Sequence, residues 1–164
     1  MKQIDRRSAL AIGGAALCGG VALLVGGRPV EAQAQRFPLQ LTDAEWRRRL
    51  NAQQYAVLRG HSTERPGSSP LDREHRRGVF HCAGCAQPLF ASTTKFDSGT
   101  GWPSFFRPLP RAVGTRVDGS LLTRRAEVHC ARCGGHLGHV FPDGPPPTGQ
   151  RYCMNGVAMA FRAA

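Results

Sequence analysis

Residues 127–141 run Glu-Val-His-Cys-Ala-Arg-Cys-Gly-Gly-His-Leu-Gly-His-Val-Phe, and how this stretch is read decides the fold. Its two ends, Glu127 to Cys130 and His139 to Phe141, are short strand-like pieces. Between them Cys130-Ala-Arg-Cys133 sets two thiols on one side of a tight turn, with Gly134 and Gly135 supplying backbone freedom. A matching Cys82-Ala-Gly-Cys85 stands earlier in the chain. Four thiolates from two such pairs make a closed tetrahedral shell, so Cys82, Cys85, Cys130 and Cys133 are the candidate ligands of one structural zinc ion. With four sulfurs bound, no position stays open for water or substrate. Two disulfides are the competing arrangement in an exported protein, but the paired two-residue spacing favours a metal.

Outward from this stretch the chain offers further short strands separated by turn residues: a start at Gly78 to Phe80, then Pro88 to Ala91, Val113 to Asp118, Ser120 to Thr123, and Met154 to Phe161. Asp118-Gly119 is a hairpin signal. Pro145, Pro146 and Pro147 lack amide donors, which makes residues 143–149 a stiff loop leading into Tyr152 and Cys153. Residues 60–72 are a loop by composition. Before it, Thr42 caps a single expected helix, with Glu45 completing a capping box and Trp46, Leu50 and Tyr55 facing inward. The expected fold class is mainly β: small twisted antiparallel sheets or a barrel, with an N-terminal helix and a structural zinc site of four cysteines.

The first 34 residues read as an address. Charged residues 2–7 precede an uncharged Ala9 to Val25, and Ala32-Gln33-Ala34 supplies the small residues for cleavage before Gln35. Arg6-Arg7 ahead of Ser8 and Leu10 resembles the twin-arginine export signal. The expectation is a signal peptide over 1–34, a single domain over 35–164, and export, in the periplasm. Membrane attachment follows only if the segment is retained as an anchor. The 164-residue chain has 22 basic against 11 acidic residues, a net charge of +11. Those basic residues are mostly arginines in short scattered groups, which gives no nucleic-acid footprint by itself. Nothing in the chain demands more than a monomer.

With four cysteines on zinc and Cys18 leaving with the signal, Cys153 is the one free thiol of the mature domain. In an extended segment Arg151, Cys153 and Asn155 share a face, and the cation favours the thiolate, the nucleophilic form. His136 and His139 follow the second zinc pair, where they complete a Cys/His constellation able to move protons during chemistry at sulfur. Asp143 is placed to orient one imidazole. At this level two other readings stand: a zinc-ribbon nucleic-acid binder, and an exported metal-carrying protein in which Cys153 and the histidines only pack.

Several ordered motifs go further: Gly60-His-Ser-Thr-Glu64, Cys82-x-x-Cys85, Lys95-Phe-Asp-Ser-Gly-Thr-Gly-Trp-Pro-Ser-Phe105, Cys130-x-x-Cys133, His136-Leu-Gly-His-Val-Phe-Pro-Asp-Gly-Pro145 and Pro147-Thr-Gly-Gln-Arg-Tyr-Cys-Met-Asn155. Together they resemble the motifs of the B-type methionine sulfoxide reductases, over about residues 40–162. The resemblance implies a twisted antiparallel β-fold, the structural zinc, and a thiol-dependent reductase of methionine-R-sulfoxide in oxidised proteins. It implies Cys153 as nucleophile, passing through a sulfenic acid, with His139, His136 and Asn155 organising the sulfoxide oxygen and its protons. Trp102 is expected to cradle the substrate methyl group, and Arg151 and Phe105 to complete the substrate site. Many relatives carry a resolving cysteine where this chain has Thr100, so an external reductant, thioredoxin-like or a small dithiol, is expected to regenerate Cys153. Gly156 stands where the family often has Ser.

Overall fold

Thr42 opens the first helix, α1 (Asp43–Arg49): its hydroxyl accepts from the Glu45 N–H, and the Glu45 carboxylate accepts from the Thr42 N–H at 2.8 Å. The computed structural model describes residues 36–118 and 125–164. One helix is expected here, and two are found. Leu50 leaves helical geometry, and Asn51 starts a second capping box with Gln54, opening α2 (Ala52–Leu58). Two successive caps outweigh the continuous apolar spacing, because each satisfies amide donors that a longer helix would leave to the backbone. Trp46 and Leu50 are buried, whereas Tyr55 is half-buried with its hydroxyl on Asp43.

Nine strands follow among the described residues: β1 (Gly78–Cys82), β2 (Pro88–Ala91), β3 (Lys95–Phe96), β4 (Ser104–Phe105), β5 (Val113–Asp118), β6 (Arg125–Cys130), β7 (His136–Phe141), β8 (Arg151–Met154) and β9 (Met159–Ala163). They form a three-stranded sheet in the order β2-β1-β9 and a six-stranded sheet in the order β3-β4-β8-β7-β6-β5, with antiparallel pairing throughout. The mainly-β reading therefore holds. The expected strand 120–123, the Gly119 turn and the expected signal segment 1–34 lie outside the described residues. No helix among the described residues is long and apolar enough to cross a membrane.

Two departures from expectation shape the site. The expected strand 154–161 is broken at Asn155 and a 3-10 turn, Gly156–Ala158, which carries the chain from the large sheet to the small one. The Glu64 carboxylate accepts from the N–H groups of Gly156 and Val157 at 2.6 and 2.9 Å, and so holds the break open. Second, β7 begins at His136 and carries a bulge against β6: Val128 pairs with Gly138, but His129 pairs with His136, leaving Leu137 unopposed.

The core lies between the sheets and helices. Phe80, Phe90 and Phe105 are fully buried, with Phe90 stacked on Phe105 at 4.3 Å and Phe80 edge-on to it at 4.9 Å. Each such ring contributes on the order of 2–3 kcal/mol by leaving water. Between β7 and β8 the backbones approach closely at Gly138, where a Cβ would lie 2.1 Å from the Cys153 carbonyl oxygen.

Candidate active site

Residues directly opposite one another in antiparallel strands point to the same face of the sheet. In the large sheet the register runs Phe96 to Ser104, Ser104 to Cys153, Cys153 to His139, His139 to Glu127, and Glu127 to Arg116. A single transverse row thus crosses all six strands and sets a hydroxyl, a thiol, an imidazole, a carboxylate and a guanidinium side by side. The adjacent row, Phe105, Tyr152, Val140, Ala126 and Val117, points to the other face.

That alternation corrects one expectation. Phe105 is fully buried against Phe80 and Phe90, behind the sheet, and does not line a substrate site. Its neighbour Ser104 is the residue that shares a face with Cys153, since a one-residue step in a strand exchanges faces.

Cys153 is half-buried. The Thr100 hydroxyl lies 3.9 Å from Sγ, and a chain of hydroxyls continues from Thr100 to Ser98 and from Ser98 to Ser104, each step 2.8 Å. Burial pushes the thiol above its ordinary value, and the Thr100 hydroxyl, the Arg151 charge and the Ser104 hydroxyl pull back without prevailing. The expected cation is therefore in place, but it moderates the desolvation and does not overturn it. Arg151 is itself held by two hydrogen bonds to Asp143, at 2.9 and 2.8 Å, and lies over the Phe141 ring. Asp143 therefore orients the guanidinium. A cavity of about 420 Å³ opens beside Thr100 and Arg151, walled by Phe96, Ser98 and Pro145.

His139 faces Cys153 across the β7–β8 ladder, and its ring meets that of His136 edge-on at 5.4 Å. Three residues apart on a regular strand, these histidines would point to opposite faces; the Leu137 bulge brings them together. His136 is buried, with Nδ1 2.9 Å from a Glu127 carboxylate oxygen. Burial pushes its imidazole below the ordinary value, and Glu127 only partly offsets this. Burial pushes the Glu127 carboxyl up, but hydrogen bonds from Arg116 and His136, with the Arg116 charge, leave it below the ordinary range.

Asn155 is buried with both ends of its amide engaged: Oδ1 accepts from the Glu64 N–H at 2.9 Å, and Nδ2 donates to the Leu137 carbonyl at 3.1 Å. It ties the loop 60–72 to the bulge, and its side chain is committed to positioning. Trp102 is half-buried; its indole N–H donates to the Glu64 carbonyl, leaving the ring to form an apolar wall. Glu64 thus anchors Trp102, Asn155 and the 3-10 turn at once. Sequence reasoning assigns a role to neither Glu64 nor Glu127.

The four remaining described cysteines are buried, and their sulfurs all lie within 4.8 Å of one another. Cys82 and Cys133 sulfurs are 3.8 Å apart, and those of Cys85 and Cys130 3.5 Å. Four sulfurs on one tetrahedral zinc ion stand about 3.8 Å apart, while a disulfide needs about 2.05 Å. The donor set and spacing fit a single metal ion. Arg59 and Arg132 brace the cluster by donating to the carbonyls of Cys133 and Cys85.

What such a row can do is activate one sulfur and move protons around it, which is the work of a thiol-dependent redox enzyme. Residues 50–163 match the SelR domain family. The chain is similar to the peptide methionine sulfoxide reductase MsrB of Agrobacterium fabrum, 54% identical over 121 residues, 73% of this chain and 90% of that protein. Its counterpart in Pseudomonas syringae pv. syringae is 54% identical over 122 residues, 74% and 93% of the two chains. That of Thiobacillus denitrificans is 51% identical over 121 residues, 73% and 92%. The chain belongs to the SelR-domain family of MsrB-type peptide methionine sulfoxide reductases.

Proposed function

We propose that this protein reduces methionine-R-sulfoxide residues in oxidised proteins to methionine, with Cys153 as nucleophile. The observation that carries the reading is the row that sets Cys153 between the Ser104 hydroxyl and His139. The Cys153 thiolate attacks the sulfoxide sulfur, and His139 supplies a proton to the oxygen. Oxygen passes to the cysteine sulfur, which loses two electrons as the methionine sulfur gains them; methionine leaves and Cys153 becomes a sulfenic acid. The half-buried Trp102 ring gives the substrate methyl an apolar wall, and Arg151 lines the approach.

Regeneration consumes two external thiols, forming their disulfide and water. Thr100 occupies the place beside Cys153 from which an internal thiol would act, so the reductant is a thioredoxin-like partner or a small dithiol. Zinc is the ion that Cys82, Cys85, Cys130 and Cys133 hold; with its shell closed by four thiolates it supplies a cross-link and no chemistry. The working form is a monomeric domain 35–164, exported to the periplasm by a twin-arginine leader over 1–34, attached to the membrane only if that leader is kept. Its partners are oxidised proteins and peptides, not nucleic acid.

The test is reduction of separate R and S epimers of a methionine-sulfoxide peptide with dithiothreitol, by wild type and Cys153→Ser. Activity on R alone that vanishes in the variant supports the reading; an inactive, reduced and metal-loaded wild type overturns it. Cell fractionation with the native leader, followed by N-terminal sequencing, tests export and a mature start at Gln35.

A further inference from the structure

At one end of the row, around the buried Glu127, lies a charge network that the proposed reaction leaves unused. Glu127 is almost wholly buried, yet it receives three partners from three different elements: Arg116 from β5, His136 Nδ1 from β7 at 2.9 Å, and His61 Nδ1 from the loop 60–72 at 3.3 Å. Arg116 Nη2 also reaches His61 Nε2 at 3.5 Å. His61 adopts a φ of 56°, a conformation that residues other than glycine seldom take. With the guanidinium already on the carboxylate, the cluster of His61, Glu127 and His136 holds its cation in the form of Arg116.

For neutral imidazoles the hydrogen-bonding arithmetic admits one arrangement. An ionised carboxylate only accepts, so the Nδ1 atoms of both His136 and His61 carry hydrogen, and His61 Nε2 is left to accept from Arg116. His136 Nε2 then bears a lone pair; it is buried and has no hydrogen-bond partner among the described residues. A buried polar atom without a partner is costly unless something arrives to meet it. The His136 ring lies against His139, opposite Cys153.

We infer that Glu127 is a positioning residue that locks His136 as its Nδ1–H tautomer, so that His136 meets the substrate complex as a hydrogen-bond acceptor and His139 alone serves as the acid. This deepens the function proposed above and rests on it. An acid at the sulfoxide oxygen needs an N–H at its reacting edge; the Glu127 network denies that to the neutral His136 and leaves the role to the partner across from the thiol. His136 instead orders its surroundings by accepting from a water or from a donor on the bound peptide.

The experiment is nitrogen-15 correlation NMR of the imidazoles in the full, reduced, zinc-loaded protein at neutral pH. Wild type is expected to show His136 with protonated Nδ1 and a lone pair on Nε2. In Glu127→Gln, whose amide offers both a donor and an acceptor, that signature is expected to become mixed, with kcat falling on the order of tenfold while KM changes less. Glu127→Asp is expected to restore part of both. A protonated Nε2 in wild-type His136 overturns the inference without any variant. So does an unchanged tautomer and kcat in a folded Glu127→Gln. Because the spectrum is read without turnover, an inactive wild type defeats the proposed reaction and leaves the tautomer question separately answered.

Discussion

The five described cysteines divide into two settings that share a side chain and nothing else. Cys82, Cys85, Cys130 and Cys133 are buried at the ends of strands and turns, within reach of one another, and each is close to three others. Cys153 lies mid-sheet, half-buried, with hydroxyls on one side and an imidazole strand on the other, while its neighbours Thr100 and Arg151 line a cavity. A thiol surrounded by thiols becomes a ligand; one surrounded by donors and left partly open becomes a reagent. Position in the fold, and not the residue type, separates the two.

Losing a thiol from one setting is expected to have the opposite consequences from losing one from the other. Cys153→Ser is expected to lower R-sulfoxide reduction at least about a thousandfold, with metal content and thermal midpoint unchanged. Cys133→Ser is expected to lose the metal and more than about 5 kcal/mol of stability, enough to unfold a domain of ordinary marginal stability. Metal analysis and circular-dichroism melting decide both. A metal-free Cys133→Ser that melts like wild type would abolish the distinction between the two settings.

A second experiment moves a thiol from one setting toward the other. Thr100→Cys places sulfur where a hydroxyl now lies 3.9 Å from Cys153. After one turnover without added reductant, the variant is expected to form an internal disulfide with Cys153, read by denaturing alkylation and mass spectrometry. Wild type is expected to keep an oxidised Cys153 with no internal partner. Less drastically, Ser104→Ala removes one of the groups opposing desolvation of the thiol. Alkylation of Cys153 at neutral pH is expected to slow about threefold, with its half-point moved further upward.

The smallest effect concerns the protons held around the row. His136 has a folded value below its unfolded one of about 6.5. Its contribution to stability is therefore complete above that pH. As pH falls below it, the unfolded chain takes up a proton the folded protein resists, and stability declines by at most about 1.4 kcal/mol per pH unit. Glu127, held below the ordinary range, adds a second loss as pH falls through its lowered folded value. Chemical denaturation across this range is expected to show the decline, and His136→Phe to flatten its upper part.

The four-cysteine cluster is legible in the sequence, because each Cys-x-x-Cys pair is local and its spacing fits metal ligation. The sequence singles out Cys153 by its isolation and Trp102 by its motif, and the structure shows both half-buried. Phe105 misleads because a motif names residues without stating which face of a strand each one takes. The helix break at Leu50 has its signal in Asn51 and Gln54, a second capping box that apolar spacing masks. Glu64 and Glu127 leave no local trace of their roles: Glu64 acts on residues more than ninety positions away, and Glu127 acts through strand register and a bulge. Asn155 is found by its motif, but its role is not, since only the fold shows that both ends of its amide are already engaged.

Gly138 gives this arrangement its gauge. No side chain fits between the strand that carries the imidazoles and the strand that carries the thiol, since even one methyl group would meet the Cys153 carbonyl at 2.1 Å. An alanine there would act as a wedge, prying apart two rails whose separation sets how closely His139 stands to Cys153.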